Sequence, residues 1–174
     1  MKTLIKVAAR EDVQQLTDVG ARLFRQTYRG TISDSDIESH NEKHYQYDIQ
    51  SRELEDSNVI SLLVYCDDHL VGFSQIRRNN VSLETPLVCD IELWRIYLDQ
   101  TVHGKGAAAL LMDQIVGAGR QLKGTGLWLA VWDQNDRAIA YYQKHGFKKI
   151  GMQPFEIGLD IQNDLVLMLQ LPEP

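Results

Sequence analysis

The sequence predicts a single α/β domain in which helices pack on a mixed β-sheet. Apolar runs rich in β-branched and aromatic residues recur along the chain, and segments with helical spacing separate several of them. No internal repeat, low-complexity tract or linker rich in proline and glycine divides the 174 residues. A chain of this length can bury one compact core. We therefore expect one domain over residues 1–174.

The first half of the chain predicts one strand, two helices and then three strands. The predicted elements are a strand at residues 4–8, a helix at 10–30, a polar helix that begins after residue 33, and strands at 59–65, 70–76 and 88–98. Val13 and Leu16 begin a pattern of helical spacing. Ser33 followed by Asp34 is a capped, acidic helix start. Residues 67–69 predict the turn of a hairpin.

The second half predicts two helices and three strands. The elements are a helix that begins after residues 103–106, a strand at 127–132, a helix at 135–145, and strands at 147–157 and 164–171. Ala107, Leu111 and Ile115 form one apolar stripe on the first of these helices. Gly146 is expected to end the second, because glycine adopts the left-handed conformation that terminates helices. The whole order gives about seven strands and four helices, with helices on both faces of the sheet.

Composition and charge argue against several classes of function. The net charge of −6 and the pI of about 5.3 disfavour nucleic-acid binding, which needs a basic surface. Residues 1–10 are too short and too interrupted by charge for a signal peptide or a membrane span. Cys66 and Cys89 lie in apolar runs without metal-ligand spacing, which indicates reduced core residues. We expect a cytoplasmic protein without a membrane partner.

The glycine-rich segment at residues 103–108 predicts an anion site. It follows a strand and opens a helix with Gly104-Lys105-Gly106, so free backbone N–H groups meet the positive end of a helix dipole. The glycines let a phosphate approach the backbone closely. The segment matches neither a nucleotide-triphosphate loop nor a dinucleotide fingerprint, because it lacks the following Ser or Thr and the third glycine. A plain strand-to-helix turn is the alternative interpretation.

A second block, at residues 135–147, makes this pattern specific. Its spacing is Asn-x-x-Ala-x-x-x-Tyr-x-x-x-Gly-Phe. Together with the strand at 92–98 and the loop through 103–107, it resembles the acetyl-coenzyme A core of GNAT N-acetyltransferases, over residues 59–171. The resemblance implies the GNAT fold. It also implies direct transfer of an acetyl group from acetyl-coenzyme A to a primary amine, in a ternary complex and without a metal.

The resemblance also assigns residues to the cofactor. It places pantetheine on the exposed backbone of Ile96 and Leu98, because the strand is expected to separate from the next one after Leu98. Asn135 is expected to contact the same arm, and Tyr142 to lie near the thioester sulfur. The residues expected to hold the pyrophosphate are His103, Gly104, Lys105, Gly106, Ala107 and Ala108. The family usually has Arg or Gln at position 103 and Gly at position 108, which bears on affinity rather than on the identity of the cofactor.

Three residues are predicted to carry the chemistry. Tyr142 is expected to protonate the leaving thiolate, because the reference pKa of a phenol, about 10, exceeds that of a thiol, about 8.5. The backbone N–H of Leu98 is the predicted donor to the oxyanion. Glu92 shares a strand face with Trp94 and is the predicted base, acting through water on the acceptor ammonium. The alternatives are a packed aromatic for Tyr142 and, for Glu92, a carboxylate paired with Arg95 or a lysine.

The acceptor is predicted from the polar second helix. The predicted substrate-binding residues are Asp34, Asp36, Glu38 and Trp94. Acidic and aromatic groups together suit a cationic amine, and this helix is similar to that of bacterial spermidine/spermine acetyltransferases. A polyamine is therefore the predicted substrate, although an aminoglycoside or a solvated helix face explains the same charges. His40 and His44 have a metal-capable spacing, but no third ligand follows, so no metal is predicted.

Two other functions stay open on the sequence alone. One is an acetyltransferase that acts on protein N-termini or lysines, and the other is a non-catalytic acyl-coenzyme A-binding sensor. A sensor is expected to lack a proton donor at position 142, where this chain has Tyr142. The resemblance is compatible with a homodimer, and the small amine is the expected partner.

Overall fold

A computed structural model describes residues 2–157 and 160–171. The strands are β1 (Thr3–Val7), β2 (Val59–Cys66), β3 (His69–Arg78), β4 (Ile91–Leu98), β5 (Gly126–Trp132), β6 (Lys148–Ile157) and β7 (Asp160–Gln170). The α-helices are α1 (Val13–Tyr28), α2 (Asp34–His44), α3 (Tyr47–Glu55), α4 (Ala107–Gln121) and α5 (Asp136–Lys144). The strands form one mixed sheet in the order β1-β2-β3-β4-β5-β7-β6. The predicted class and the seven strands are confirmed.

The chain divides into two compact units. The first contains Met1–Gln75 and Arg95–Gln114, and the second contains Ile76–Trp94 and Ile115–Pro174. In the first unit, the apolar stripe of α1 packs on residues of the sheet and of α2. The buried residues of this core are Leu16, Val19, Leu23, Phe24, Ile37, Tyr45, Leu63 and Phe73. That the two units make one domain over residues 1–174 stays a prediction.

The predicted number of four helices is wrong, because the described residues contain five. The polar helix ends at His44, and a separate helix, α3, begins at Tyr47. The break lies at Tyr45, whose side chain turns into the core and is 2% exposed. Gly20 of α1 leaves the space that the Tyr45 ring occupies. A continuous polar helix could not bury this ring, so packing overrides helical continuity.

The second unit is built on antiparallel ladders. β5 pairs with β7 from Gly126↔Gln170 to Trp132↔Asp164, and β6 pairs with β7 along its length. The predicted strand at 88–98 starts at Ile91 instead. Asp90, which was predicted to lie within this strand, precedes it. Its carboxylate accepts hydrogen bonds from the N–H groups of Thr125 and Gly126 at 3.0 and 3.1 Å.

Several local predictions are confirmed by backbone conformation. Asp67 and Asp68 have φ values of 48° and 65°, as a two-residue hairpin turn requires. The Ser33 hydroxyl accepts the N–H of Asp36 at 3.1 Å and so caps α2. Gly146 ends α5 with φ of 89°. Cys66 and Cys89 are both buried and form no disulfide bond.

None of the described helices combines the length and the apolar character needed to cross a membrane.

The contact between Gly20 and Tyr45 predicts a stability effect. A Cβ added at Gly20 would overlap the buried Tyr45 ring, so Gly20→Ala should lower the free energy of unfolding by roughly 1–3 kcal/mol despite the better helix propensity of alanine. Urea denaturation followed by circular dichroism measures this. Gly117→Ala is the matched control. A Cβ at Gly117, which lies on the exposed side of α4, meets nothing within 4 Å, and a gain of roughly 0.4–1 kcal/mol is expected there. Equal effects of the two substitutions would contradict the packing argument.

Candidate functional site

The glycine-rich segment forms an open loop before α4 in the first unit. Gly104 and Gly106 have φ values of 73° and 88°, which side chains rarely adopt. A Cβ added at either glycine would meet nothing within 4 Å, so conformation and not packing requires glycine here. α4 begins at Ala107, and an α-helix leaves the amides of its first turn without intrahelical acceptors. These features fit the pyrophosphate of coenzyme A.

Two basic side chains accompany this loop. His103 and Lys105 are both exposed. The His103 ring nitrogen Nε2 lies 3.1 Å from the backbone carbonyl oxygen of Leu98. The histidine therefore links the glycine-rich loop to the end of β4, a contact that the sequence does not predict.

The parallel ladder between β4 and β5 is short. Its pairs are Ile91↔Leu127 and Glu92↔Trp128, at the beginning of β4. The two strands were predicted to separate after Leu98, and this is wrong, since the ladder ends at Glu92. The side chains of Ile96 and Leu98 are half-buried at the other end of β4. Their predicted hydrogen bonds to pantetheine stay a prediction.

Glu92 and Trp94 both contact Arg77 in the second unit. The Glu92 Oε2 atom accepts hydrogen bonds from Arg77 Nε at 2.6 Å and from Asn79 Nδ2 at 2.8 Å. The Arg77 guanidinium lies over the Trp94 ring, 3.7 Å from its centroid. Glu92 is 9% exposed. The carboxylate is thus held in a fixed orientation, and its basic partner is neither Arg95 nor a lysine.

Arg95 belongs to a buried polar cluster in the first unit that sequence reasoning missed. Its guanidinium donates to Glu53 Oε2 at 2.6 Å and to the Gln75 side-chain oxygen. A second guanidinium nitrogen lies 3.4 Å from His44 Nδ1. Arg95 is 6% exposed, so its charge requires this compensation. An arginine in the middle of an apolar strand was the signal that could have revealed it.

Asn135 lies at the start of α5, and Tyr142 lies within this helix. The Asn135 Oδ1 atom accepts the N–H of Ala138 at 3.1 Å and caps the helix. Tyr142 is 8% exposed, and its ring packs edge-on against Phe147 with centroids 5.6 Å apart. Both residues therefore have structural roles, and their predicted roles toward the cofactor stay predictions.

The predicted acceptor residues of α2 differ in their surroundings. Asp34 is exposed, and Asp36 accepts a hydrogen bond from the Ser33 hydroxyl at 2.7 Å. Glu38 forms an ion pair with Arg25 of α1. Among the described ion pairs, Glu38 therefore has a basic partner, whereas Asp34 and Asp36 have none.

The two histidines of α2 pack against aromatic rings. His40 stacks on Phe24 with centroids 3.7 Å apart, and the His44 ring lies 4.3 Å from that of His40. Burial lowers the pKa of His40 to about 3, and the charges of His44 and Arg95 add to the effect. In the part of the chain that the structure describes, no group of three or more His, Cys, Asp and Glu residues could hold a metal.

Asp164 is a buried carboxyl that sequence reasoning did not single out. It lies on β7 directly opposite Trp132, the last residue of β5, and is 7% exposed. None of the hydrogen bonds and ion pairs of the described side chains involves its carboxylate, and its oxygens are not among the enclosed atoms that lack a partner. Burial, together with the nearby charge of Asp133, raises the pKa of Asp164 to about 6. A lone aspartate in a strand pattern carries no sequence signal of this environment.

The predicted site residues are distributed over the two units. The first unit contains Asp34, Asp36, Glu38, Ile96, Leu98, His103, Gly104, Lys105, Gly106, Ala107 and Ala108. The second contains Glu92, Trp94, Asn135 and Tyr142. Within the second unit, Arg77 brings Glu92 and Trp94 together. Within the first, His103 and Leu98 are in contact.

Comparisons with known proteins identify the family. The sequence model of the Acetyltransferase (GNAT) family matches residues 22–147. This match covers more than half of the chain, which therefore belongs to the GNAT acetyltransferase family. It confirms the enzyme class predicted from the sequence, an acetyl-coenzyme A-dependent N-acetyltransferase.

Relatives and solved structures agree with this class. An uncharacterized N-acetyltransferase of Mycobacterium tuberculosis is 29% identical over 160 residues, covering 92% of this chain and 98% of that protein. A spermidine N(1)-acetyltransferase of Thermoplasma acidophilum is 27% identical over 156 residues, covering 85% and 89%. The fold is similar to the PaiA N-acetyltransferase of Thermoplasma acidophilum solved with coenzyme A. The TM-score is 0.77 at 22% identity, over 98% of this chain and 99% of that one.

The environment of Asp164 predicts a pH-dependent stability effect. The folded state holds the Asp164 proton up to a pKa of about 6, whereas the usual value is 3.8. Stability is therefore lost as the pH rises from about 4 through about 6. Asp164→Asn removes this loss and should raise the free energy of unfolding by about 1–3 kcal/mol near pH 8, with little change near pH 4.

Thermal denaturation of both proteins across this pH range measures the effect. Asp113→Asn, on the exposed side of α4, is the control for loss of one negative charge. A gain in stability that is the same near pH 4 and near pH 8 would show that ionisation of Asp164 is not its cause.

Proposed function

We propose that this protein transfers the acetyl group of acetyl-coenzyme A directly to a small cationic amine, with a polyamine as the leading acceptor. The observation that carries the proposal is the loop around Gly104 and Gly106 at the start of α4. Its two glycines have left-handed backbones with open space around them, which lets a phosphate approach closely, and the chain belongs to the GNAT family. The backbone of residues 103–108 would hold the pyrophosphate of the cofactor.

The chemistry requires a proton acceptor, an oxyanion donor and a proton donor. An alkylammonium has a reference pKa of about 10.4 and must lose a proton before it attacks. Glu92 is the proposed acceptor through water, and the bonds from Arg77 and Asn79 fix its orientation. The Leu98 N–H is the proposed donor to the oxyanion. Tyr142 is the proposed proton donor to the departing thiolate.

A cationic acceptor is supported by charge and by one relative. The chain has a net charge of −6, and Asp34 and Asp36 begin α2 at the surface. The Thermoplasma acidophilum relative that is 27% identical is a spermidine N(1)-acetyltransferase. Trp94 is the proposed aromatic contact. Its ring already binds one cation, the Arg77 guanidinium.

Acetyl-coenzyme A turnover tests this function. Thiol release should depend on spermidine or spermine and should exceed release with aminoglycosides and with lysine or N-terminal peptides. Asp34→Asn combined with Asp36→Asn should raise the KM for spermidine about two- to tenfold, because two charges that attract the cation are lost. Faster release with peptides would favour a protein acetyltransferase. Tight binding of the cofactor without release in any reaction would favour a sensor.

Replacement of Tyr142 tests the proposed proton donor. Tyr142→Phe keeps the ring that packs on Phe147 and removes the hydroxyl. The kcat should fall about 10²- to 10⁴-fold, the range typical of general acid catalysis, while the dissociation constant of coenzyme A changes little. Tyr141→Phe, on the neighbouring ring, is the matched control. Unchanged kcat in Tyr142→Phe would remove the role.

A further inference from the structure

Asp164 stands apart from the other buried acids. Asp12, Glu92 and Asp164 are the acidic side chains that are buried among the described residues. Asp12 binds Lys6 at 2.8 Å, and Glu92 binds Arg77 at 2.6 Å. Buried carboxylates normally have such a basic partner. Asp164 has none within the described ranges, and residues 150–174 contain no Lys, Arg or His that could supply one.

The surroundings of Asp164 suit a cation. Trp132 is directly opposite on β5, and opposite residues of an antiparallel ladder project from the same face with Cβ atoms about 5 Å apart. On the other side, Gln153 of β6 is opposite Asp164 and is uncharged. Asp133 follows Trp132, and its N–H donates to the Asn163 carbonyl at 3.1 Å. A carboxylate paired in register with a tryptophan, and close enough to Asp133 to interact with its charge, makes an environment that attracts an alkylammonium.

The alternative interpretation is that Asp164 is merely a poorly accommodated core residue. The pKa of about 6 follows from burial and from the charge of Asp133 and agrees with either interpretation. The geometry argues for a ligand, because the Asp164 oxygens are not among the fully enclosed side-chain atoms that lack a partner and an amine can therefore reach them. An ionised, buried carboxylate without a partner is costly unless a ligand neutralises it. Asp133 is the titratable group that raises this pKa, whereas Gln153 and Trp132 carry no charge.

We propose that Asp164, flanked by Trp132 and Asp133 at the end of β5, binds the ammonium group of the acceptor amine. The inference rests on the proposed function, which it deepens by naming the carboxylate that selects a cation. Asp164 is then a binding residue, which acts on the affinity for the amine and not on the chemical step. No bond is made or broken at its carboxylate.

Binding and kinetics together test this proposal with spermidine and butylamine as probes. With coenzyme A present, calorimetry should show that spermidine binds the wild-type protein about tenfold more weakly near pH 5 than near pH 7.5, since Asp164 becomes protonated. Asp164→Asn should bind spermidine about tenfold more weakly than the wild type near pH 7.5 and about as weakly as the wild type near pH 5, because the protonated carboxyl and the amide are both uncharged. It should show a raised KM with a nearly unchanged kcat. Asp113→Asn should behave like the wild type.

A spectroscopic measurement separates binding from folding and from activity. Carboxyl-carbon NMR should show that Asp164 in the wild-type protein titrates near pH 6 and that spermidine lowers this pKa. Asp133→Asn should also lower it, because one neighbouring negative charge is removed. An Asp164 resonance that is unaffected by both amines would overturn the proposal, as would failure of both amines to bind.

The proposed function and this inference fail in different ways. If spermidine is acetylated equally well by the wild-type protein and by Asp164→Asn, with equal KM, the inference is wrong and the function stands. If spermidine binds and shifts the Asp164 titration but no thiol is released, the cation site stands and the proposed reaction is wrong.

Discussion

Strand β5 is held by unequal ladders on its two sides, and this asymmetry organises the second unit. Seven residue pairs join β5 to β7, whereas its parallel ladder with β4 consists of Ile91↔Leu127 and Glu92↔Trp128. Backbone N–H and C=O groups in a sheet need partners. An extended arm with amide groups can supply the same bonds as a strand. Coenzyme A contains such an arm, and its hydrogen bonds to the backbone of Ile96 and Leu98 stay a prediction.

The charges of β4 show how this strand serves two environments. Glu92 and Arg95 differ by an odd number of positions, so strand alternation directs them to opposite faces. Each is neutralised within its own unit, Glu92 by Arg77 and Arg95 by Glu53. A buried charge that loses its partner is strongly destabilising. These two ion pairs therefore hold the beginning and the middle of β4 independently, and Arg77 also contacts the indole ring of Trp94.

Local signals in the sequence predicted much of the fold. The hairpin turn at Asp67 and Asp68, the Ser33 cap and the left-handed Gly146 depend on the residue itself and its neighbours, which explains why they were predictable. The break between α2 and α3 was missed because it depends on Tyr45 filling the space beside Gly20, which is distant in the sequence.

The same distinction between local and long-range contacts holds for the candidate site. Motif spacing predicted a glycine-rich loop, and Gly104 and Gly106 have the left-handed conformation that explains the glycines, which is a local property. The partners of Glu92 and Arg95 come from other strands and from α3, so no spacing rule reveals them. The environment of Asp164 depends on the register between β5 and β7. Hydrophobic alternation predicts which face of a strand is buried, but it does not predict which residues are paired.

Register also relates the two buried carboxyl groups of the second unit. Glu92 pairs with Trp128, and Trp132 lies four residues further along β5 opposite Asp164. Paired residues share a face, and so do residues an even number apart on one strand. Glu92 and Asp164 therefore project from the same face. Arg77 and Asn79 donate hydrogen bonds to the Glu92 carboxylate, whereas the Asp164 carboxylate has no such donor among the described residues. A cation that reaches this face gains more from Asp164 than from Glu92, because at Asp164 it displaces no existing ion pair.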